Sequence, residues 1–185
     1  KAPGLDSLQP VVLKNLPDSA IVLLAAIYRA CIHLAYTPAA WRRSRVVFIQ
    51  KPHKDDYSLP RSYRPISLTP FLFKALERLV LWQLEAHTFQ QRPLSKDQHA
   101  FRKGHSTETA LSKTVNEIER ALLKGRVAVA VFLDIEGAFD NLSTSGAITA
   151  MRNHHLPPAI TAWYKDYLLH RVATSESNGN KLTIK

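Results

Sequence analysis

The sequence predicts an α+β or mixed α/β fold, on three observations. Helical periodicities recur at 20–35, 69–87, 107–122, 144–154 and 158–170, each bounded by Pro, Gly or a capping residue. Two runs, Arg45–Gln50 and Val127–Leu133, are short, β-branched and apolar, as strands are. The 185 residues are 45% hydrophobic and 22% charged, enough for one core and unlike a disordered, collagen-like or disulfide-scaffold chain.

The elements come in order. Residues 1–18 hold Pro3, Gly4, Pro10 and Pro17 among scattered apolar positions, an irregular lead-in with at most one short helix. Asp18 or Ser19 is expected to cap a largely buried helix over 20–35, which Pro38 stops. The strand Arg45–Gln50 gives way to a basic loop over 51–64 with Lys51, Lys54, Arg61 and Arg64, a composition suited to phosphate contact. Thr69-Pro70 opens a helix reaching about His87, with Leu72, Leu76, Leu79 and Leu84 on one face. After an irregular stretch around Pro93, His105-Ser106-Thr107 opens a second amphipathic helix with Leu111, Val115, Ile118 and Leu122, ended by Gly125. Val127–Leu133 is expected to be a strand buried on both faces, with Asp134 held rigidly where it emerges. Two helices divided at Pro157-Pro158 come next, and Asn178-Gly179 marks a turn between two extended arms. Trp41 and Trp82 are expected to serve packing.

The 25 Lys+Arg against 15 Asp+Glu give a formal charge of +10 and a pI near 9.9, which favours polyanionic partners. A lone cysteine, Cys31, excludes an internal disulfide framework and points to a reducing, intracellular compartment, nucleus or cytoplasm. The most apolar stretch is too short to cross a bilayer, so no membrane partner is expected. The histidines show no pairing at zinc-ligand spacing, and no Gly-rich phosphate loop or nucleophile elbow occurs. The chain starts at Lys1 and its only methionine is Met151, so a longer parent is expected.

Several stretches, in order, resemble the reverse transcriptase of non-LTR (LINE-type) retrotransposons across essentially the whole chain. Ala2-Pro3-Gly4-Leu5-Asp6 is similar to the family's A-P-G-x-D segment, and Val47-Phe48-Ile49-Gln50-Lys51-Pro52 to its first fingers strand. Tyr63-Arg64-Pro65-Ile66-Ser67-Leu68 matches Y-R-P-I-S-L. Gln98–Thr107 resembles Q-x-G-F-R-x-G-x-S-T with Ala100 in place of glycine, and Leu133–Asp140 resembles the palm motif L-D-I-x-x-A-F-D. The family's later pair of adjacent aspartates has no counterpart: the only such pair here, Asp55-Asp56, lies in the basic loop.

The resemblance implies a right-hand polymerase fold, with a lead-in over 1–40, fingers over 41–125 and part of the palm over 126–185. It implies RNA-directed DNA synthesis from an RNA template, a DNA primer and dNTPs, dependent on Mg2+ or Mn2+, with protein partners undefined. Asp134 and the backbone carbonyl of Ile135 would hold metal. Lys51 and Arg64 would meet the triphosphate, and Phe139 would lie under the incoming sugar. Arg45, Arg61, Gln98, Phe101 and Arg102 would contact nucleic acid or order the fingers. Read without the resemblance, Asp134 caps the following turn, Phe139 is a core aromatic and the cations are a solvated loop. Two rival functions remain open: a nucleic-acid-binding remnant without catalysis, and a metal-dependent nuclease built on Asp134 and Glu136. Without the segment that carries the adjacent aspartates, this chain alone is expected to be inactive.

Overall fold

The computed structural model describes residues 3–135, 137–138, 141–177 and 180–184. In chain order the described elements are α1 (Pro10–Lys14), α2 (Asp18–His33), β1 (Arg43–Gln50), a 3-10 turn (Pro60–Ser62), β2 (Tyr63–Leu68), α3 (Phe71–Gln83), a π-helical turn (Leu84–Thr88), α4 (Phe89–Gln91), α5 (Thr107–Leu123), α6 (Thr144–Asn153), α7 (Pro158–His170), β3 (Val172–Ser177) and β4 (Asn180–Ile184). They fall into two units, one formed by Lys1–Glu85 with Ser143–Lys185, the other by Ala86–Leu142. The units follow contacts within the chain. The contiguous segments 1–40, 41–125 and 126–185 follow inferred role.

In the first unit a four-stranded mixed sheet runs in the order β2-β1-β3-β4. β1 and β2 are antiparallel, from Arg45 opposite Leu68 to Gln50 opposite Tyr63. β1 and β3 are parallel over Arg43–Arg45 and Val172–Thr174. β3 and β4 pair antiparallel, so both expected arms exist, although the Asn178-Gly179 turn lies outside the described residues. β2 adds a strand where a loop is expected as far as Arg64. Pro65 lacks the N–H a central strand needs, and it is tolerated because β2 sits at the sheet edge.

The core of this unit lies between the helices. Phe73 on α3 stacks on Tyr167 of α7 with ring centroids 4.3 Å apart and lies 5.9 Å from Trp163. Tyr28 of α2 meets Trp41 edge-on at 5.6 Å and donates its hydroxyl to the Leu72 carbonyl at 2.7 Å. Burial pushes the Tyr28 hydroxyl up to about 12, with a smaller push from Cys31. Gly4 is buried against the start of α3, where a Cβ would lie 2.9 Å from the Pro70 nitrogen. Only a residue without a side chain lets the lead-in approach that closely.

Several expected details differ. α2 starts at Asp18 behind Pro17, with no side-chain cap, and buries only Tyr28 and Cys31. It touches its neighbours along one stripe, and Val22 and Leu23 remain exposed. α3 buries Phe71, Phe73, Leu76 and Val80, a face rotated from the leucine stripe, so Leu79 is exposed. Trp41 is buried as expected, whereas Trp82 is 57% exposed.

The ends of α7 and α2 are tied by charge. Asp166 accepts from the Thr37 backbone N–H and from the Arg42 guanidinium, both at 3.1 Å. The Arg42 Nε–H donates to the Thr37 carbonyl, and the guanidinium lies 4.6 Å from the centre of the Tyr36 ring. Thr37 is fully buried. Two residues after α7 ends at His170, the Val172 N–H bonds the Arg42 carbonyl at 2.9 Å and starts the parallel pairing.

In the second unit α5 is closed at both ends. Ser106 accepts from the Thr109 N–H while the Thr109 hydroxyl receives the Ser106 N–H, a reciprocal cap. Gly125, at φ +67°, ends it. None of its residues is buried.

Removing the Asp166 carboxylate leaves the Thr37 N–H without its acceptor and Arg42 with only the Thr37 carbonyl. Asp166→Ala is expected to cost ~2–3 kcal/mol, less than a fully buried pair because both partners keep some solvent contact, measured by urea unfolding. Glu77 supplies a pH test: burial raises its carboxyl above the usual range, and Lys74 offsets this only in part. A raised folded-state carboxyl gives stability that is complete at acid pH and is lost as pH rises through the folded value. Glu77→Gln should therefore raise Tm at pH 7 and leave it unchanged near about pH 3.5; a lower Tm at pH 7 would reverse the sign.

Candidate functional site

At one end of the β1/β2 ladder the chain gathers three of the expected cations. The Lys51 N–H bonds the Ser62 carbonyl and its ammonium donates to the Arg61 carbonyl, both at 2.8 Å. Tyr57 donates to the Lys51 carbonyl and Tyr63 to the Tyr57 carbonyl, each at 2.9 Å, and the two rings meet edge-on. Ser62, buried, donates to the Asp56 carbonyl, and Asp56 accepts from the Ser58 N–H at 2.7 Å. Bonding from Ser58 holds the Asp56 carboxyl below its usual range. The loop, read from the sequence as a basic stretch suited to phosphate contact, is exposed over most of its length and also bonded to itself, and Lys51 is part of what closes it.

Arg64 sits opposite Ile49, and Arg45 opposite Leu68. Alternation along the ladder places both arginines on the same face of the hairpin, ~13 Å apart along β1. Arg45 is therefore at the far end from Lys51, Arg61 and Arg64.

Gln98, Phe101, Arg102, Asp134 and Ile135 belong to the other unit. There a laced loop leads into α5. The Gln98 side-chain amide donates to the Ala100 carbonyl at 3.3 Å and Arg102 donates to the Ser95 carbonyl at 2.9 Å. His99 and His105 meet edge-on at 5.1 Å, His99 bonds the Thr109 hydroxyl at 2.8 Å, and Lys113 pairs with Asp97. Phe101 is held at φ +57° and is 89% exposed. A left-handed backbone at a bulky residue costs about 1–2 kcal/mol, and here it presents the ring outward beside Arg102. The sequence gives no sign of these histidine, Asp97 and Lys113 contacts, since its only local signal is the Ser106 cap.

The segment before Asp134 corrects an expectation. Residues 127–135 form no strand, and Val127, Val129, Val131, Phe132 and Leu133 are all exposed. An apolar run shows that a strand could be buried, but pairing needs a neighbouring edge, and among the described residues no strand pairs with this one. Asp134 is consequently exposed and is not fixed by a ladder. The carbonyl of Gly137, a residue at φ +60°, accepts from the Asn141 N–H at 2.8 Å. Glu136, Phe139 and Asp140 lie outside the described residues.

Asp134 offers a carboxylate and Ile135 a backbone carbonyl, hard oxygens of the kind magnesium takes. Among the described residues no group of three or more His, Cys, Asp or Glu forms a metal cage. The two donors fit part of a shell that phosphate and water complete, which is the usual manner of magnesium. Among the described residues no helix is long and apolar enough to cross a membrane.

The profile of the family described as reverse transcriptase (RNA-dependent DNA polymerase) matches residues 49–184. The chain is 34% identical over all 185 residues to the RNA-directed DNA polymerase from mobile element jockey of Drosophila melanogaster, and it covers 20% of that protein. It is 37% identical over 152 residues, 82% of the chain and 17% of the relative, to the probable RNA-directed DNA polymerase from transposon BS of the same species. It is also 30% identical over 142 residues, 77% of the chain and 14% of the relative, to the retrovirus-related Pol polyprotein from type-1 retrotransposable element R1 of Bradysia coprophila. The chain thus spans about a fifth or less of the length of these relatives.

The Lys51 ammonium closes a surface loop, so its loss should act locally. Lys51→Met is expected to speed exchange of the Lys51 amide about fivefold while global stability shifts by less than ~1 kcal/mol, read by hydrogen exchange and urea unfolding.

Proposed function

The chain belongs to the reverse transcriptase (RNA-dependent DNA polymerase) family of non-LTR retrotransposons, and from that premise we propose that it supplies the triphosphate-binding and first metal-holding parts of an RNA-directed DNA polymerase. One observation carries the reading: relatedness to such an enzyme runs through all 185 residues, and Lys51, Arg64 and Asp134 all lie within the family match at 49–184. RNA template, DNA primer and dNTPs are its partners.

In this reading 41–125 acts as fingers and 126–185 as the first part of a palm. Lys51 and Arg64 neutralise triphosphate oxygens, Arg64 in a two-pronged contact, which favours both binding and departure of pyrophosphate. Arg61, beside Lys51, adds charge, and Arg45 lies further along the same hairpin for a strand phosphate. Gln98, Phe101 and Arg102 meet the template, Phe101 by stacking on a base. Phe139 takes the place under the sugar, where a ring excludes a ribose 2′-OH. Asp134 and the Ile135 carbonyl hold Mg2+ or Mn2+. When bound, the metal stabilises the attacking primer oxygen and the leaving pyrophosphate oxygen.

A second reading is nucleic-acid binding without catalysis, which the formal charge of +10 supports. Both readings are decided by primer extension on an RNA template with the whole protein that contains this chain. Asp134→Ala is expected to lower the rate at least ~100-fold without lowering Tm. Retained extension would overturn the metal role, and an inactive parent that still binds template would establish the second reading.

A further inference from the structure

The α6/α7 pair forms a cavity of about 540 Å3 that the chemistry above does not use. Arg152 near the end of α6, His155 in the connecting turn and Lys165 on α7 line it, and no acidic side chain does. Among the described residues neither Arg152 nor Lys165 enters an ion pair. Asp166, adjacent to Lys165 in sequence, is engaged instead by Arg42 and Thr37. The first turn of α7 contributes Pro158 and Thr161 to the wall and carries no acid, so the positive end of the helix adds to the field.

Thr161 supplies an independent observation. It is only 7% exposed, yet its hydroxyl has no hydrogen-bond partner among the described residues. A buried hydroxyl left unpaired is costly, and such groups call for an explanation. A helical threonine has two accessible χ1 positions, so a rotation can turn this hydroxyl toward an oxygen in the cavity. His155 is held at φ +53°, where glycine is the easier residue, and the imidazole is thereby carried in the wall of the cavity.

We propose that this cavity binds a phosphate group, with Arg152, Lys165 and His155 meeting its charge and the Thr161 hydroxyl donating to one oxygen. A nucleic-acid backbone and free phosphate share that chemistry. The wall includes none of the β1/β2 cations, and the site depends neither on Asp134 nor on catalysis, so its failure would leave the polymerase reading untouched.

Binding of inorganic phosphate and of a ten-residue single-stranded oligothymidylate to the 185-residue chain tests it. The variants are Thr161→Val, Arg152→Gln with Lys165→Gln, and, as a charge-matched control, Lys14→Gln with Arg92→Gln. Thr161→Val is expected to bind phosphate at least ~3-fold more weakly at unchanged Tm, since it removes one hydrogen bond. The Arg152/Lys165 variant should lose at least ~10-fold, more than the control, and its salt slope for the oligonucleotide should flatten by about 1.4, at about 0.7 per cation. Tighter binding of the oligonucleotide than of phosphate assigns the group to a strand, and the converse assigns it to free phosphate. Wild-type affinity in Thr161→Val, equal losses in the control, or tighter binding of polyglutamate than of either probe would overturn the proposal. Should the double variant unfold, Thr161→Val decides alone.

Discussion

Asp166 joins segments that are far apart in the chain: its carboxylate accepts from Thr37 and Arg42, 129 and 124 positions away. The sheet of the first unit depends on that junction. It fixes the turn between α2 and β1 against α7, and the Val172 N–H bonded to the Arg42 carbonyl then starts β3 alongside β1. Parallel strands need a long connection and lose much loop entropy on pairing. A half-buried charged clamp next to the first parallel hydrogen bond holds the ends where that cost is met. β1 in turn sets the register of β2, and the hairpin sets Lys51, Arg61 and Arg64 at one end.

The two units hold their candidate residues by different means. Around Lys51 the chain uses backbone bonds and tyrosine hydroxyls, so position comes from a ladder and a loop that folds on itself. Around Phe101 it uses short-range side-chain bonds leading into a capped helix. Asp134 has neither support, since the apolar residues before it are exposed and unpaired in any described ladder. The roles proposed for Asp134 and for the β1/β2 cations both rest on family membership, and only the cations are placed by a ladder.

Much of this is legible in the sequence where a local signal exists. Ser106, Gly125 and the Pro157-Pro158 step mark helix ends through the first and last hydrogen bonds of a helix, and the helices end where those residues say. β2 reads only as a motif because Pro65 argues against a strand unless the strand lies at an edge, and sheet order is not a local property. Val127–Leu133 misleads for the related reason that an apolar run reports what could be buried and not whether a partner is at hand. The rotated face of α3 reflects aromatic partners on α7, Phe73 against Tyr167, that no spacing within α3 encodes. The Arg42–Asp166 clamp joins segments 124 positions apart, so it has no sequence signature.

The polymerase reading turns on whether Asp134 touches a metal during nucleotide addition. The most direct measurement is metal preference in the whole protein carrying Asp134→Cys, because a thiolate favours softer ions than magnesium. Primer extension is predicted to be lost with Mg2+ and regained in part with Mn2+ or Cd2+, while Asp134→Ala regains nothing. Full activity of the cysteine variant with Mg2+, or no recovery with either softer ion, would contradict it.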